Sequence, residues 1–275
     1  MTRPVPYPKT PMPHWVRGAA DAVVSALLAP TCAVCGRLLD QPTQGCVCDS
    51  CWRSVLPITP PICDTCGDPF ARSTKSLIQN SQCVRAPTRC AHCSKSESSV
   101  KRARAVGEYE GTLREIIHVL KYAGRLSLAK PLAAQMRSRG ADVLGAVDCV
   151  VPVPLHWRRE HQRGFNQAYE IARHIGPPVV CALIRGRPTR PQVELAADRR
   201  KANVAGAFVG RRALFRKDDI RGKTVLLIDD VSTTGATLDA CAHALHERGA
   251  LVVYALTAAR VVTRRARVKS PLPNP

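Results

Sequence analysis

The chain has 275 residues, 45% of them apolar, enough for one ordinary packed domain and a small second one. Its formal net charge of +20 points to an anionic partner, and no apolar run reaches the ~18 residues that a membrane span needs. The charge is uneven: residues 1–100 carry 10 basic and 6 acidic side chains, leaving 31 and 15 to residues 101–275.

In chain order, residues 1–30 form a Pro-rich leader. Its apolar stretch 22–29 has Asp21 at one edge and Pro30 at the would-be cleavage point, so it reads as a short amphipathic helix and not as a secretion signal. A cytoplasmic protein is the expectation.

Residues 31–97 are a cysteine-rich module. Ten of the 13 cysteines lie between Cys32 and Cys93, and eight of these form four Cys-x-x-Cys knuckles: Cys32/Cys35, Cys48/Cys51, Cys63/Cys66 and Cys90/Cys93. A two-residue gap lets both sulfurs face one tetrahedral site, and two knuckles complete a Cys₄ zinc site, so two structural zinc ions are expected. Four such motifs in a row without a thioredoxin-like pattern argue against a disulfide framework. Sequential pairing leaves 12 residues between the first two knuckles and 23 between the last two. Cross-braced pairing, first with third and second with fourth, stays open. Cys46 and Cys83 are left over, Cys46 being able to replace Cys48 in a slipped site, and His92 reads as a spacer. Cys149, Cys181 and Cys241 lie in apolar surroundings and read as buried core thiols.

From residue 101 to 262 helix and strand patterns alternate. Leu113, Ile116, Ile117 and Leu120 predict a helix over 112–122, on which Lys121 reads as part of a solvated face. Further helices are predicted from 128 to near Gly140, over 166–175 and over 238–248, with strands at 148–153, 179–184, 204–209, 224–228 and 251–256. Residues 185–203 form a polar, Arg-rich loop, and 263–275 a basic, Pro-rich tail. Such alternation predicts an α/β domain, a mostly parallel sheet covered by helices.

The most informative segment runs from Val225 to Leu238. An apolar strand delivers Asp229 and Asp230 at its carboxyl end, where open α/β sheets bind ligands. Ser232, Thr233, Thr234, Gly235, Ala236 and Thr237 follow and open into a helix, supplying hydroxyls, backbone N–H groups and a helix N-terminus suited to phosphate. Carboxylates that accept from sugar hydroxyls, beside a phosphate nest, describe a ribose-phosphate site. A Walker pair does not fit, because Lys217 stands where the first Walker glycine belongs and Gly222-Lys223-Thr224 runs into a strand.

This string resembles the phosphoribosyl-pyrophosphate (PRPP) motif of type I phosphoribosyltransferases, and the chain resembles the competence protein F (ComF) family over residues 32–260. The resemblance is carried by Cys48-Asp-Ser-Cys51-Trp52, Cys63-Asp-Thr-Cys66-Gly67, Tyr109-Glu-Gly111, Ile117-His-Val-Leu-Lys121-Tyr122, Val151-Pro-Val-Pro154-Leu-His156, Arg163-Gly-Phe-Asn-Gln167 and Asn203-Val-Ala-Gly-Ala-Phe208. It implies a double zinc ribbon followed by a type I phosphoribosyltransferase-like fold. It also implies a link to DNA uptake, with single-stranded DNA and a competence or helicase protein as partners, and it leaves catalysis open. Pro154, His156, Arg163, Asn166 and Gln167 are then candidates for pyrophosphate and loop contacts, although Val151–Pro154 would also serve as a plain stiff turn and Asn166 as a helix cap.

Residues 185–223 hold 12 basic and 4 acidic side chains, with Arg187, Arg190, Arg199, Arg200 and Lys201 the leading nucleic-acid candidates. Trp157 and Phe165, interleaved with Arg158, Arg159 and Arg163, offer stacking for unpaired bases. The same cations would also suit PRPP itself. Two functions follow: a PRPP-binding module that works on single-stranded DNA, or a transferase moving phosphoribose from Mg²⁺-bound PRPP to an amine or base with release of pyrophosphate.

Overall fold

A computed structural model describes residues 14–70, 88–186, 206–211 and 219–262. The chain divides into two compact units, residues 1–54 and 55–275.

The first unit opens with α1 (His14–Leu28), on which Asp21 is buried and accepts a hydrogen bond from Thr43 N at 2.9 Å. The first two knuckles follow, the second of them opening into α2 (Asp49–Arg53) with Cys48 in the N-cap position. None of the described helices is long and apolar enough to cross a membrane.

The second unit begins with the other two knuckles, Cys90 standing at the N-cap of α3 (Ala91–Lys95). It continues through β1 (Arg102–Glu108), α4 (Gly111–Tyr122), α5 (Ala129–Arg139), α6 (Ala141–Leu144), β2 (Cys149–Pro152), α7 (Trp157–Arg163) and α8 (Gln167–Ala172). The short β3 (Leu183–Arg185) and β4 (Phe208–Gly210) precede β5 (Thr224–Ser232), α9 (Ala236–Glu247) and β6 (Val252–Arg260). The main sheet has the order β1-β6-β5-β2, and every pair is parallel. All four strands therefore end at the same edge of the sheet.

The central strand β5 shows why the sheet is covered on both faces. Its side chains alternate. Val225 and Leu227 join the apolar cluster that contains Leu238, Cys241 and Leu245 of α9. Leu226 and Ile228 are equally buried and take the other face, where α8 packs on β5 and β2, and α5 on β1 and β6.

Several sequence expectations change, among them the strand expected at 251–256, which runs on to Arg260, and the helix expected over 166–175, which ends at Ala172. The strand expected at 224–228 runs on to Ser232, because β6 keeps pairing with it at Thr257, Ala259 and Arg260. The strand expected at 179–184 splits: Val179 bridges to Val150 of the main sheet, whereas β3 pairs antiparallel with β4 in a separate two-stranded ladder. Cys181, at that departure, is exposed rather than buried, unlike Cys149 and Cys241. The strand expected at 204–209 is shorter: β4 covers Phe208–Gly210, 206 and 207 are not strand, and 204–205 lie outside the described residues.

Candidate functional site

Four sulfurs gather twice: Cys32, Cys35, Cys48 and Cys51 form one group, Cys63, Cys66, Cys90 and Cys93 the other, all sulfurs of a group within 4.8 Å of one another. The pairing is sequential, which decides against the cross-braced alternative. The Cys32–Cys51, Cys35–Cys48 and Cys66–Cys90 separations are 3.8, 3.7 and 3.7 Å. A tetrahedron with Zn–S bonds of about 2.3 Å has edges of about 3.8 Å, so the donor sets fit zinc. Backbone N–H groups serve the sulfurs as expected of thiolates: Cys48 N donates to Cys32 Sγ at 3.4 Å and Cys90 N to Cys63 Sγ at 3.3 Å. Gly36 and Gly67, at φ +73° and +71°, turn the chain directly after a knuckle. Cys46 stays outside the first cluster, and Cys83 lies outside the described residues.

The second site lies where the parallel strands end. A cleft of about 210 Å³ is lined there by Asp229, Asp230, Thr233 and Thr237, by Pro154 from the turn after β2, and by Lys121, Arg159, Arg163 and Arg185. Strand alternation sends the two aspartates to different faces. Asp230 takes the α4/α8 face, forming an ion pair with Lys121 Nζ and accepting from Gln167 Nε2 at 3.3 Å. Asp229 takes the α9 face, and its Oδ1 accepts from Asp230 N at 2.8 Å.

The environments push the two carboxyls apart. Burial raises the Asp229 pKa well above the ordinary carboxyl range, and the adjacent Asp230 charge adds to this. Burial opposes ionisation of Asp230 as well, but the Lys121 ammonium and the hydrogen bonds from Asp229, Lys121 and Gln167 outweigh it, so its pKa is lowered. Lys121 answers in kind: burial works against its charge, the Asp230 carboxylate prevails, and its pKa is raised. Beside the cations of the cleft, Lys121 thus favours the charged form of Asp230, while burial disfavours that of Asp229. Burial, followed by the nearby Arg159, lowers the Arg185 pKa.

Other expected residues divide by role. Arg163 donates to Gln167 Oε1 and lies 5.5 Å from the Tyr122 ring centroid, so a chain of contacts runs from Asp230 through Gln167 and Arg163 to Tyr122. Asn166 is the N-cap of α8, accepting from Ala168 N at 3.0 Å, and its amide also donates to Val153 O at 3.1 Å, which ties the Pro154 turn to the helix. His156 caps α7 by accepting from Arg158 N at 3.3 Å. Gly235 closes the loop at φ +82° as N-cap residue of α9, while Thr234, Gly235 and Ala236 line a second cavity on the side of the second cysteine cluster. Ser232 is buried. Arg187, Arg190, Arg199, Arg200 and Lys201 lie outside the described residues.

Sequence reasoning missed Lys121, Arg185 and Tyr109, the last of which also lines the cleft. Lys121 stands four residues after Ile117, on the buried stripe of α4, and that spacing was the available signal.

Residues 23–94 match the double zinc ribbon domain and residues 161–272 the phosphoribosyl transferase domain. Among relatives, the DNA utilization protein YhgH of Escherichia coli (strain K12) is 30% identical over 220 residues, covering 74% of this chain and 93% of that protein. Competence protein ComFC of Bacillus subtilis is 28% identical over 204 residues, covering 74% and 79%. Competence protein F of Haemophilus influenzae is 28% identical over 170 residues, covering 58% and 73%. The chain belongs to the ComF family. In this ComF-family chain the phosphoribosyltransferase-like fold supplies the parallel sheet with its cleft, and the double ribbon supplies both Cys₄ clusters.

Proposed function

We propose that this ComF-family protein binds PRPP, or a closely related ribose phosphate, at Asp229 and Asp230, and that it works on single-stranded DNA during DNA uptake. One observation carries the ligand: two adjacent carboxyls, Asp229 and Asp230, at the open edge of a parallel sheet, next to the Thr233–Thr237 loop and four cations. Asp229 and Asp230 accept from the ribose hydroxyls. The loop and the N-terminus of α9 receive the 5-phosphate. Lys121, Arg159, Arg163 and Arg185 face the diphosphate, which Mg²⁺, when bound, partly neutralises.

The DNA part rests on the names of the relatives and on chemistry at α7. Trp157 is 64% exposed, with the Arg158 guanidinium 5.2 Å from its ring centroid, a surface on which a base can stack beside a phosphate-binding cation. Fluorescence anisotropy of a labelled single-stranded oligonucleotide tests this. Binding should weaken steeply with salt, as counter-ion release requires, and absence of binding at low salt removes the DNA role.

Phosphoribosyl transfer is the second reading. It is favoured by a groove of about 620 Å³ that shares Lys121, Tyr122, Arg159 and Arg163 with the cleft or its rim and leaves room for an acceptor. Release of pyrophosphate over a panel of amines and bases decides between a binding module and an enzyme.

A further inference from the structure

The second cysteine cluster and the Thr233–Thr237 loop belong to the same compact unit. A small cavity of about 60 Å³ has Cys66, His92 and Cys93 on its wall together with Thr234, Gly235 and Ala236. Two sets of polar ties connect the knuckle to the loop.

The first set reaches the first turn of α9. Asp239 Oδ1 accepts from Ser99 N at 2.7 Å and from Ser98 Oγ at 3.1 Å, and these serines lie on the segment that leaves the last knuckle. The second set reaches the loop's other end. Asp68, two residues past Cys66, accepts from Arg260 Nε at 3.0 Å. Arg260 sits opposite Ser232 in the β5–β6 ladder, and the next residue, Val261, donates its N–H to Ser232 O at 2.8 Å. The loop thus has a knuckle-derived contact at each end.

The knuckle itself has little freedom against the sheet. Ala103 N donates to Thr65 O at 2.7 Å, and Arg104 Nη1 to Asp64 O at 3.2 Å. At Gly67 a Cβ would stand 2.7 Å from Ala103 O, closer than a side chain tolerates. A loop made of Ser, Thr, Gly and Ala buries little apolar surface, so packing alone does not fix its shape. A phosphate nest binds well only if its N–H groups are already in place, since ordering them on binding subtracts from affinity.

We propose that the Cys63/Cys66/Cys90/Cys93 knuckle is a positioning element of the phosphate loop, acting through Ser98, Ser99 and Asp239 and through Asp68 and Arg260, so that loss of its metal loosens the loop. The consequence for PRPP affinity rests on the ligand reading above; the bracing does not.

Hydrogen exchange followed by mass spectrometry on the zinc-loaded full chain, without ligand, tests the bracing directly. Asp239→Ala should speed exchange of the amides at 233–241 by about tenfold, the scale of one hydrogen bond to a charged group, while those of α8 at 167–172 keep their rate. Asp239→Asn, which keeps an acceptor oxygen, should restore most of the protection. Asp68→Ala should act in the same direction as Asp239→Ala, and chelation of zinc from the wild type at least as strongly. Unchanged loop exchange in Asp239→Ala, or in the metal-stripped wild type, overturns the proposal. Titration with PRPP and Mg²⁺ then separates the two claims. If wild type does not bind PRPP, the ligand reading fails and exchange alone decides the bracing. If it binds and Asp239→Ala binds equally well, the positioning role is refuted even where exchange has changed.

Discussion

Asp229 and Asp230 are neighbours in sequence and opposites in chemistry, because a strand turns successive side chains to opposite faces. That pair was legible in the sequence; its asymmetry was not, since it depends on Lys121, more than a hundred residues earlier in the chain. A lysine on an amphipathic helix reads as solvated by default, yet the Lys121 side chain is only 16% exposed and that of Asp230 6%. Lys121→Met should accordingly cost about 3–5 kcal/mol in urea unfolding near neutral pH, because it strands a buried carboxylate. The sign with pH follows from the depressed pKa of Asp230. Its contribution is present above the unfolded-state pKa and is lost as pH falls through the folded one, so wild type and variant should converge on acidification. A difference that persists unchanged at low pH would contradict the ion-pair explanation.

Among elements, α4, α5, β2 and α9 were legible from apolar periodicity. The strand β1 was missed, its Arg102-Ala-Arg104-Ala105 start carrying too little apolar character to mark an edge strand. The extension of β5 through two aspartates was hidden for a related reason: β6 holds those residues in the sheet by backbone pairing, to which side-chain polarity is indifferent. The loop that follows was legible because Ser, Thr and Gly before an apolar helix have a direct backbone meaning. Gly235 adopts φ +82°, and a Cβ there would meet nothing within 4 Å, so conformational strain alone decides a substitution. Gly235→Ala should destabilise the fold by about 1–2 kcal/mol, the cost of placing an L-residue in left-handed backbone, as read by thermal unfolding. It should also displace the loop and weaken phosphate binding; unaltered stability would mean that the loop relaxes to another conformation.

For the whole molecule, the sequence shows a cysteine-rich region followed by an α/β domain, and the spacing of the knuckles gives the zinc count. It does not show which parts share a compact unit. Asp68 and Arg260 are 192 positions apart, and no local pattern announces such a pair. The second cluster lies in the same unit as the sheet, with its knuckle bonded to β1 and β6. Metal analysis should therefore return two zinc ions per chain, and chelation should lower the melting temperature of the α/β sheet as well as unravelling the knuckles, because metal binding is coupled to folding. Fewer than one zinc per chain, with disulfides in its place, would remove the ribbon account.

In the proposed function, Asp229 and Asp230 hold the ribose while the Thr233–Thr237 loop holds the phosphate. Calorimetric titration of PRPP with Mg²⁺ into wild type and into the Asp229→Asn/Asp230→Asn variant, with inorganic phosphate as competitor, tests it most directly. One site per chain is predicted. The double variant should bind PRPP more weakly by about 5- to 150-fold for each charge-assisted hydrogen bond lost, with phosphate binding nearly unchanged. Wild type that gives no binding at millimolar PRPP, or a double variant that binds as well as wild type, would contradict the claim.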